Sequence, residues 1–488
     1  MVAATGLGSG IDIDALVTGL VAAEKGPIEQ RLAVRESELA ADQAAFASIK
    51  SAVAALEDTV ESLASADTFA DMKATSSDYS NLGVTVSSSA QVGSYSVEIT
   101  RLAQSQSLAS SAYSSTTSVV GTGTLSLSFG TPTYDGSSPA NYSGFSANSA
   151  LTAFSVDITS ENNTLAGVRD AINAKNGPVS ASILSDGSGY RLMLSATNTG
   201  VDSSIKIEVS SDGDSNNTDA AGLSALAFDE STNHLQEMQA ATDAAITFNG
   251  LSISSSSNEI KDVVDGVTLT IKATNTAADT VTVSRDIGQI SSKVKDFTDK
   301  YNAFIKLMSE LMMFNSEANT RGQLQGDSTA RMVMNHVRQL ISTKVSGLAG
   351  DYTTLSAVGV TTQKDNTLKF DESAFSTAIS ADFSSVKDLF SRSSGSDRMD
   401  GIAVSMNTTL DSLLASSGVL ESRNDSIRDQ LKGINNDREA LNKRFAAVEA
   451  RYFKEFNAMD SLLSEITSTG EFLNQQMSNL PGTNRSKK

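Results

Sequence analysis

The stretch from Asn424 to Thr467 reads NDSIRDQLKGINNDREALNKRFAAVEARYFKEFNAMDSLLSEIT. Apolar side chains recur along it at alternating steps of three and four: Ile427, Leu431, Ile434, Leu441, Phe445, Val448, Tyr452, Met459, Leu462 and Ile466. Arg438 and Glu455 alone interrupt the seam, and no Pro or Gly lies between Ile434 and Thr467. That permits an uninterrupted helix about 50 Å long at roughly 1.5 Å per residue. A 3.5-residue repeat calls for a left-handed supercoil with partner helices, because an unsupercoiled helix rotates its stripe off the seam. Each seam side chain gains roughly 1.5–3 kcal/mol only when something covers it.

The other end of the chain repeats the signature. Ile28, Leu32, Leu39, Phe46, Ile49, Val53, Leu56, Val60 and Leu63 follow the same spacing, with Arg35 and Asp42 as exceptions. Ahead of them, Asp12 or Asp14 caps a short amphipathic helix carrying Ile13, Leu16, Val17, Leu20 and Val21. Gly26-Pro27 is expected to break that helix, with Pro27 in the first turn of the next. Burying two such seams against each other brings the two ends together and leaves the middle as an insertion.

From about Thr75 the period changes to two. Strands are expected at Leu82–Val86, Tyr95–Ile99, Thr124–Phe129, Phe154–Thr159, Val179–Leu184, Tyr190–Ser195, Ile205–Val209, Ala245–Phe248, Leu251–Ser254, Val267–Ala273 and Thr280–Ser284. A short helix from Leu165 to Ala174 interrupts them, the serine-rich run Ser105–Ser118 reads as a loop or crossing, and Ser210–Ala221 as a polar loop. Helices return at Asp286, where Ile287, Ile290, Val294, Phe297, Tyr301, Phe304, Met308 and Leu311 fill eight successive heptad positions. Asp327 caps a helix to about Val345, and Lys364-Asp365-Asn366 turns a hairpin between Val358–Thr362 and Thr367–Phe370.

The expected architecture is α+β and multidomain, with about three domains by length. Long heptad-patterned coiled-coil helices from both chain ends form a stalk and body, and a β-rich head of two subdomains is inserted between them.

Composition narrows the chemistry. The chain has no Cys, no Trp and two His, which excludes disulfides, thiolate metal sites and a Cys nucleophile. A net charge of −20 opposes binding to nucleic acid or anionic lipid, and no run approaches the 18 or so apolar residues a membrane span needs; the only local basic cluster is Arg485, Lys487 and Lys488. The opening residues lack the basic and apolar regions of a secretory signal, so the sequence reads as cytosolic unless another route exports it. Gly6-Leu7-Gly8-Ser9-Gly10 has neither the preceding strand nor the following Lys of a phosphate loop. Asp212, Asp214, Asn216 and Asp219 resemble an oxygen-ligand calcium loop, but an EF-hand wants Gly at 217 and Glu at 223, where Asn and Leu stand, so a solvated turn is expected. His234 and His336 have no spaced partners for metal or triad chemistry. No enzyme activity, cofactor or metal is expected.

Four blocks carry a family resemblance. Gly6-Leu7-Gly8-Ser9-Gly10-Ile11-Asp12-Ile13-Asp14-Ala15-Leu16-Val17, followed by Ala22-Ala23-Glu24 and Pro27, resembles the opening of the bacterial flagellar filament cap family (hook-associated protein 2, FliD). Gly326-Asp327-Ser328-Thr329-Ala330-Arg331 is similar to the start of a helix in that family's C-terminal half. Leu355 through Asp371 is similar to its hairpin. Thr164 through Asn173, with Gly189-Tyr190-Arg191-Leu192, resembles a module of flagellin-type axial proteins, placed here at 158–200. The stretch from Ser105 to Asn148 carries no such motif.

The resemblance implies a ring of four to six copies at the filament tip that retains flagellin and promotes its polymerisation. It also implies export through the flagellar channel with a chaperone, and a hook–filament junction protein as neighbour. The accompanying division is a terminal leg (1–45 with 425–488), a helical body (46–73 with 285–424), a β-rich subdomain (74–105 with 240–284) and a distal one (106–239). Ile11, Leu16, Leu20, Ile28 and Leu32 are expected to pair with Phe456, Met459, Leu462 and Ile466 as the filament-contacting leg. Phe297, Tyr301, Phe304, Met308 and Leu311 are expected to hold the body. Rival readings are a hook–filament junction or flagellin-like subunit, an adhesin using residues 106–239, or an exported coiled-coil protein unrelated to flagella.

Overall fold

The computed structural model describes residues 12–136, 141–316, 320–348, 350–395 and 399–478. Ile11, the Gly6–Gly10 run and the Arg485–Lys488 tail lie outside them. In chain order the helices are α1 (Ile13–Ala64), α2 (Leu165–Asn173), α3 (Ile287–Met312), α4 (Ser328–Ile341), α5 (Glu372–Ala381), α6 (Phe383–Ser391), α7 (Ile402–Leu414) and α8 (Val419–Ser478). The chain forms two compact units, one from residues 1–68 and 287–488, the other from 69–286.

In the helical unit, α1 packs on α3, α7 and α8. Asp12 caps it, its Oδ1 accepting from Ala15 N at 2.9 Å. The expected break at Gly26-Pro27 is absent: α1 is one helix of 52 residues with Pro27 inside it. An interior proline removes one hydrogen bond and crowds the preceding turn, at a cost of about 3 kcal/mol. Tertiary contacts offset that cost, because α8 runs antiparallel alongside. Tyr452 Oη donates to Glu24 Oε1 at 2.9 Å on the N-terminal side of Pro27, and Arg438 Nη2 meets Glu36 at 2.6 Å on the other. Lys50 and Glu421 close the series at 2.6 Å.

These bonds also explain the exceptions in the heptads. Arg438 interrupts the α8 seam because it reaches Glu36, and Arg35 interrupts the α1 seam because its Nη2 donates to Gln430 Oε1 at 3.1 Å. Asp42 accepts from Gln323 Nε2 at 2.7 Å. Deeper in the unit Val60 and Leu63 of α1 meet Phe297 of α3, Phe390 of α6 and Ile402, Ala403 and Met406 of α7 around a void of only about 10 Å³. Asn302 of α3 holds the 360–370 hairpin by bonding both Leu368 O (2.8 Å) and Leu368 N (2.6 Å). Helices α5, α6 and α7 were not legible in the periodicity, because each is too short for a sustained seam.

The β-rich unit has two hydrophobic cores. The first lies among Leu82, Val97, Ile99, Ile246, Leu269 and Val281. It is built from a five-stranded antiparallel sheet in the order Met72–Ser76, Asp279–Arg285, Gly93–Arg101, Ala244–Phe248, Leu251–Ser255, and a three-stranded one in the order Glu259–Val264, Val267–Ile271, Leu82–Val86. Asn249 and Gly250 both take positive φ (48° and 87°), the geometry a two-residue type I′ turn requires. The second core gathers Leu125, Leu127, Phe129, Ile172, Leu194 and Phe228, among others. In one sheet around it the strands run Ser204–Ser210, Gly123–Tyr134, Tyr142–Ala147, with Phe154–Ile158 also on Gly123–Tyr134. The other runs Gln236–Gln239, Ser107–Ala109, Tyr190–Ala196, Val179–Ser185, and α2 packs on Val179–Ser185. Ser107–Ala109 corrects the reading of Ser105–Ser118 as loop alone; polar neighbours hid a strand that needs only three residues to pair.

Gln106 joins the elements of this second core. Fully buried, it donates through Nε2 to Tyr142 Oη at 2.7 Å and Glu237 Oε1 at 2.5 Å, and its Oε1 accepts from Ile205 N at 2.6 Å. Asp212 departs from the expected solvated turn: it is buried, for reasons taken up below.

Candidate functional site

Helix α8 spans 60 residues, and its burial changes along its length. Leu420, Ile427, Ile434 and Leu441 are buried at strict seven-residue spacing, and Phe445 follows. Beyond it Val448, Tyr452 and Phe456 are half-buried. Met459 is then 44 % exposed, Leu462 59 % and Ile466 62 %, and Phe472, Leu473 and Met477 are exposed as well. Leu462, Ile466 and Leu473, with Thr469 and Gly470, line one shallow groove. The stripe thus runs on with helical spacing after the unit has stopped covering it.

At the start of α1 the structure selects a different row from the expected one. Ile13 and Val17 are buried, whereas Leu16 and Leu20 are exposed and Ile28 and Leu32 half-buried. The two rows lie about 60° apart around the helix at 3.6 residues per turn. With Leu16, Leu20, Met459, Leu462 and Ile466 all open to solvent, the expected pairing between them is not closed within one chain. Phe472, Leu473 and Met477 were missed because the sequence reading ended the seam at Ile466, although the apolar spacing continues through Gly470.

The body residues fall inward: Phe297, Tyr301, Phe304 and Met308 are buried and Leu311 is half-buried near the end of α3. Burial pushes the Tyr301 hydroxyl up to about 12. Along the α1–α8 pair the hydrogen bond from Arg438 holds the Glu36 carboxyl below its ordinary value, and the bond to Glu24 raises Tyr452. His336 is exposed on α4, and His234 Nδ1 lies 2.9 Å from Ser224 O. None of this assembles acid–base or nucleophilic chemistry. What the arrangement offers is an apolar helical face without a cover, the commonest physical signature of a docking surface. No described helix is long and apolar enough to cross a membrane.

The chain is 33 % identical to the B-type flagellar hook-associated protein 2 of Pseudomonas aeruginosa, over 98 % of this chain and 97 % of that protein. It belongs to the flagellar hook-associated protein 2 family. A relative of the same name from Escherichia coli is 29 % identical over 98 % of both chains. Family models described as the N-terminus and C-terminus of flagellar hook-associated protein 2 match residues 9–106 and 241–468. Those matches take in the helical unit and the first β core, and flank the second. Among solved structures, the flagellar cap protein FliD D1-D2-D3 domains from Escherichia coli superpose with a TM-score of 0.61 at 28 % identity, covering 79 % of this chain and 99 % of that one. Flagellar hook-associated protein 2 is thus a structural family, and an uncovered apolar helix end is the feature of this member most in need of a partner.

Proposed function

We propose that this chain caps the flagellar filament: several copies assemble at its distal tip, retain exported flagellin and promote its folding into the open end. The observation that carries this reading is the apolar face from Met459 to Met477, with Leu16 and Leu20, left open by a member of the hook-associated protein 2 family. In this reading that face is the terminal leg (1–45 with 425–488), and it is covered by filament subunits or neighbouring copies. The body (46–73 with 285–424) is held by Phe297, Tyr301, Phe304 and Met308. Two head subdomains (74–105 with 240–284, and 106–239) follow the two β cores, whose separation supports the division. The heptad helices act as a coiled-coil stalk, and the assembly is a ring of four to six copies. It leaves the cell through the flagellar export channel with a chaperone and follows the hook–filament junction protein onto the growing end. Its charge of −20 disfavours nucleic acid as a partner.

The test is deletion of the gene from a strain with a single copy. The expected phenotype is bare hooks with flagellin released as monomer, reversed by the intact gene. Filaments of normal length in the deletion strain refute the reading.

A further inference from the structure

The acidic run noticed in the sequence folds into a place where one carboxylate cannot remain a solvated turn residue. The strand Ser204–Ser210 ends, Ser211 takes φ 56°, and Asp212 turns inward to 6 % exposure. Its backbone N donates to Asn217 Oδ1 at 2.9 Å, and its Oδ2 accepts from Ser224 N at 2.6 Å. Its Oδ1 is buried and has no hydrogen-bond partner among the described residues. A buried carboxylate oxygen without a partner carries a desolvation cost that some positive group normally offsets.

That oxygen is aimed at a second carboxylate. Gly222, at φ 58°, lies between them: a Cβ built there would stand 2.5 Å from Asp212 Oδ1 and 2.8 Å from Asp214 Oδ2. The two oxygens therefore face one small space, which only glycine leaves open. A water molecule satisfies lone pairs but not two converging negative charges. A hard divalent cation satisfies both.

We propose that Asp212 and Asp214 hold a calcium ion through Asp212 Oδ1 and Asp214 Oδ2, with backbone carbonyl oxygens and water completing the shell. Calcium accepts an irregular set of oxygen ligands, whereas magnesium demands near-octahedral geometry and gives up its water reluctantly. Among the described residues no group of three His, Asp or Glu side chains gathers around a common point. The site therefore has two carboxylates rather than the fuller set of an EF-hand, and its affinity falls in the weak class, Kd about 10⁻⁴–10⁻³ M. Asn217 and Leu223, which rule out an EF-hand, are no obstacle here, since Asn217 supports the backbone of Asp212 and Leu223 packs in the core.

The experiment uses the full chain freed of metal by chelation. Calcium chloride is titrated calorimetrically at constant ionic strength, and hydrogen exchange of peptides spanning 211–224 is followed with and without about 5 mM calcium, several-fold above the expected Kd. One calcium per chain and at least threefold slower exchange in that segment are expected. Asp214 is exposed, so Asp214→Asn leaves the fold intact and abolishes both signals; Asp212→Asn does the same if it folds. Exchange unchanged by calcium overturns the proposal, as does an effect that survives in Asp214→Asn, which would place binding elsewhere on this acidic chain. Equal protection by magnesium overturns the assignment to calcium.

Discussion

Replacing Leu462 and Ile466 together by Asp separates the stability of the chain from its docking. These side chains are 59 % and 62 % exposed, so the free chain gains little from them. Surface substitutions of this kind change stability by about 0.5 kcal/mol each, mostly through the lower helix propensity of Asp. Docking is another matter. Full burial of Leu or Ile yields roughly 1.5–3 kcal/mol, so covering the exposed portion yields about 1–2 kcal/mol per residue. Losing both weakens association by about 2–4 kcal/mol, or roughly 30- to 700-fold at 1.4 kcal/mol per decade. Each buried, unpaired carboxylate then adds several kcal/mol more. The double variant should unfold within a degree or two of the parent chain by circular dichroism, yet fail to restore filaments to a deletion strain. Leu462→Ala with Ile466→Ala should give an intermediate number of short filaments. Full-length filaments with the Asp pair would refute the assignment of this face to docking, and a large loss of stability would refute the claim that the chain leaves it uncovered.

Three further outcomes follow from packing and charge. Gln106→Leu should destabilise the β-rich unit by about 2–5 kcal/mol, because it strands Ile205 N, Tyr142 Oη and the Glu237 carboxylate at once; denaturant unfolding that shifts by less than 1 kcal/mol would show the network to be dispensable. The Glu57 carboxyl is pushed up to about 7, first by burial and then by Asp411 beside it. The folded state therefore keeps a proton that the unfolded chain releases near 4.5, so this contribution is complete below pH 4.5 and is lost as pH rises through about 7. Glu57→Gln should flatten that decline in a series of thermal melts, and an unaltered pH profile would contradict the cause given. Pro27→Ala restores one backbone hydrogen bond in α1 and should slow amide exchange in residues 13–26, the helix gaining about 1–3 kcal/mol; no change there would mean that the contacts to α8 already fix this segment completely.

Much of the fold was legible because apolar spacing is a local signal. The seams of α1, α3 and α8 are written at three-four steps, and eleven strand positions at steps of two. The exceptions within the seams were not interpretable locally, since Arg438 is explained by Glu36, 402 residues away, and Asp42 by Gln323, 281 residues away. Short polar strands were invisible for a related reason: Gln236–Gln239 is held by pairing to Ser107–Ala109 rather than by its own propensity. At Gly26-Pro27 a strong local rule pointed to a break, and packing along α8 overruled it.

The candidate surface was legible as a pattern but not as a surface. Leu420, Ile427, Ile434 and Leu441 differ in no chemical respect from Met459, Leu462 and Ile466. The first group lies where α1, α3 and α7 supply apolar side chains such as Phe46, Ile49, Val53 and Met406, so the seam becomes core. The second lies where the chain supplies only the opening turns of α1, whose buried row is Ile13 and Val17. Periodicity specifies that a face must be covered; only the fold tells which part of it already is. An isolated helix of this kind is marginal in water, so the part of α8 beyond Phe445 draws its order from whatever completes its seam. That requirement, more than any single side chain, makes the end of the longest helix the place where this protein meets its partner.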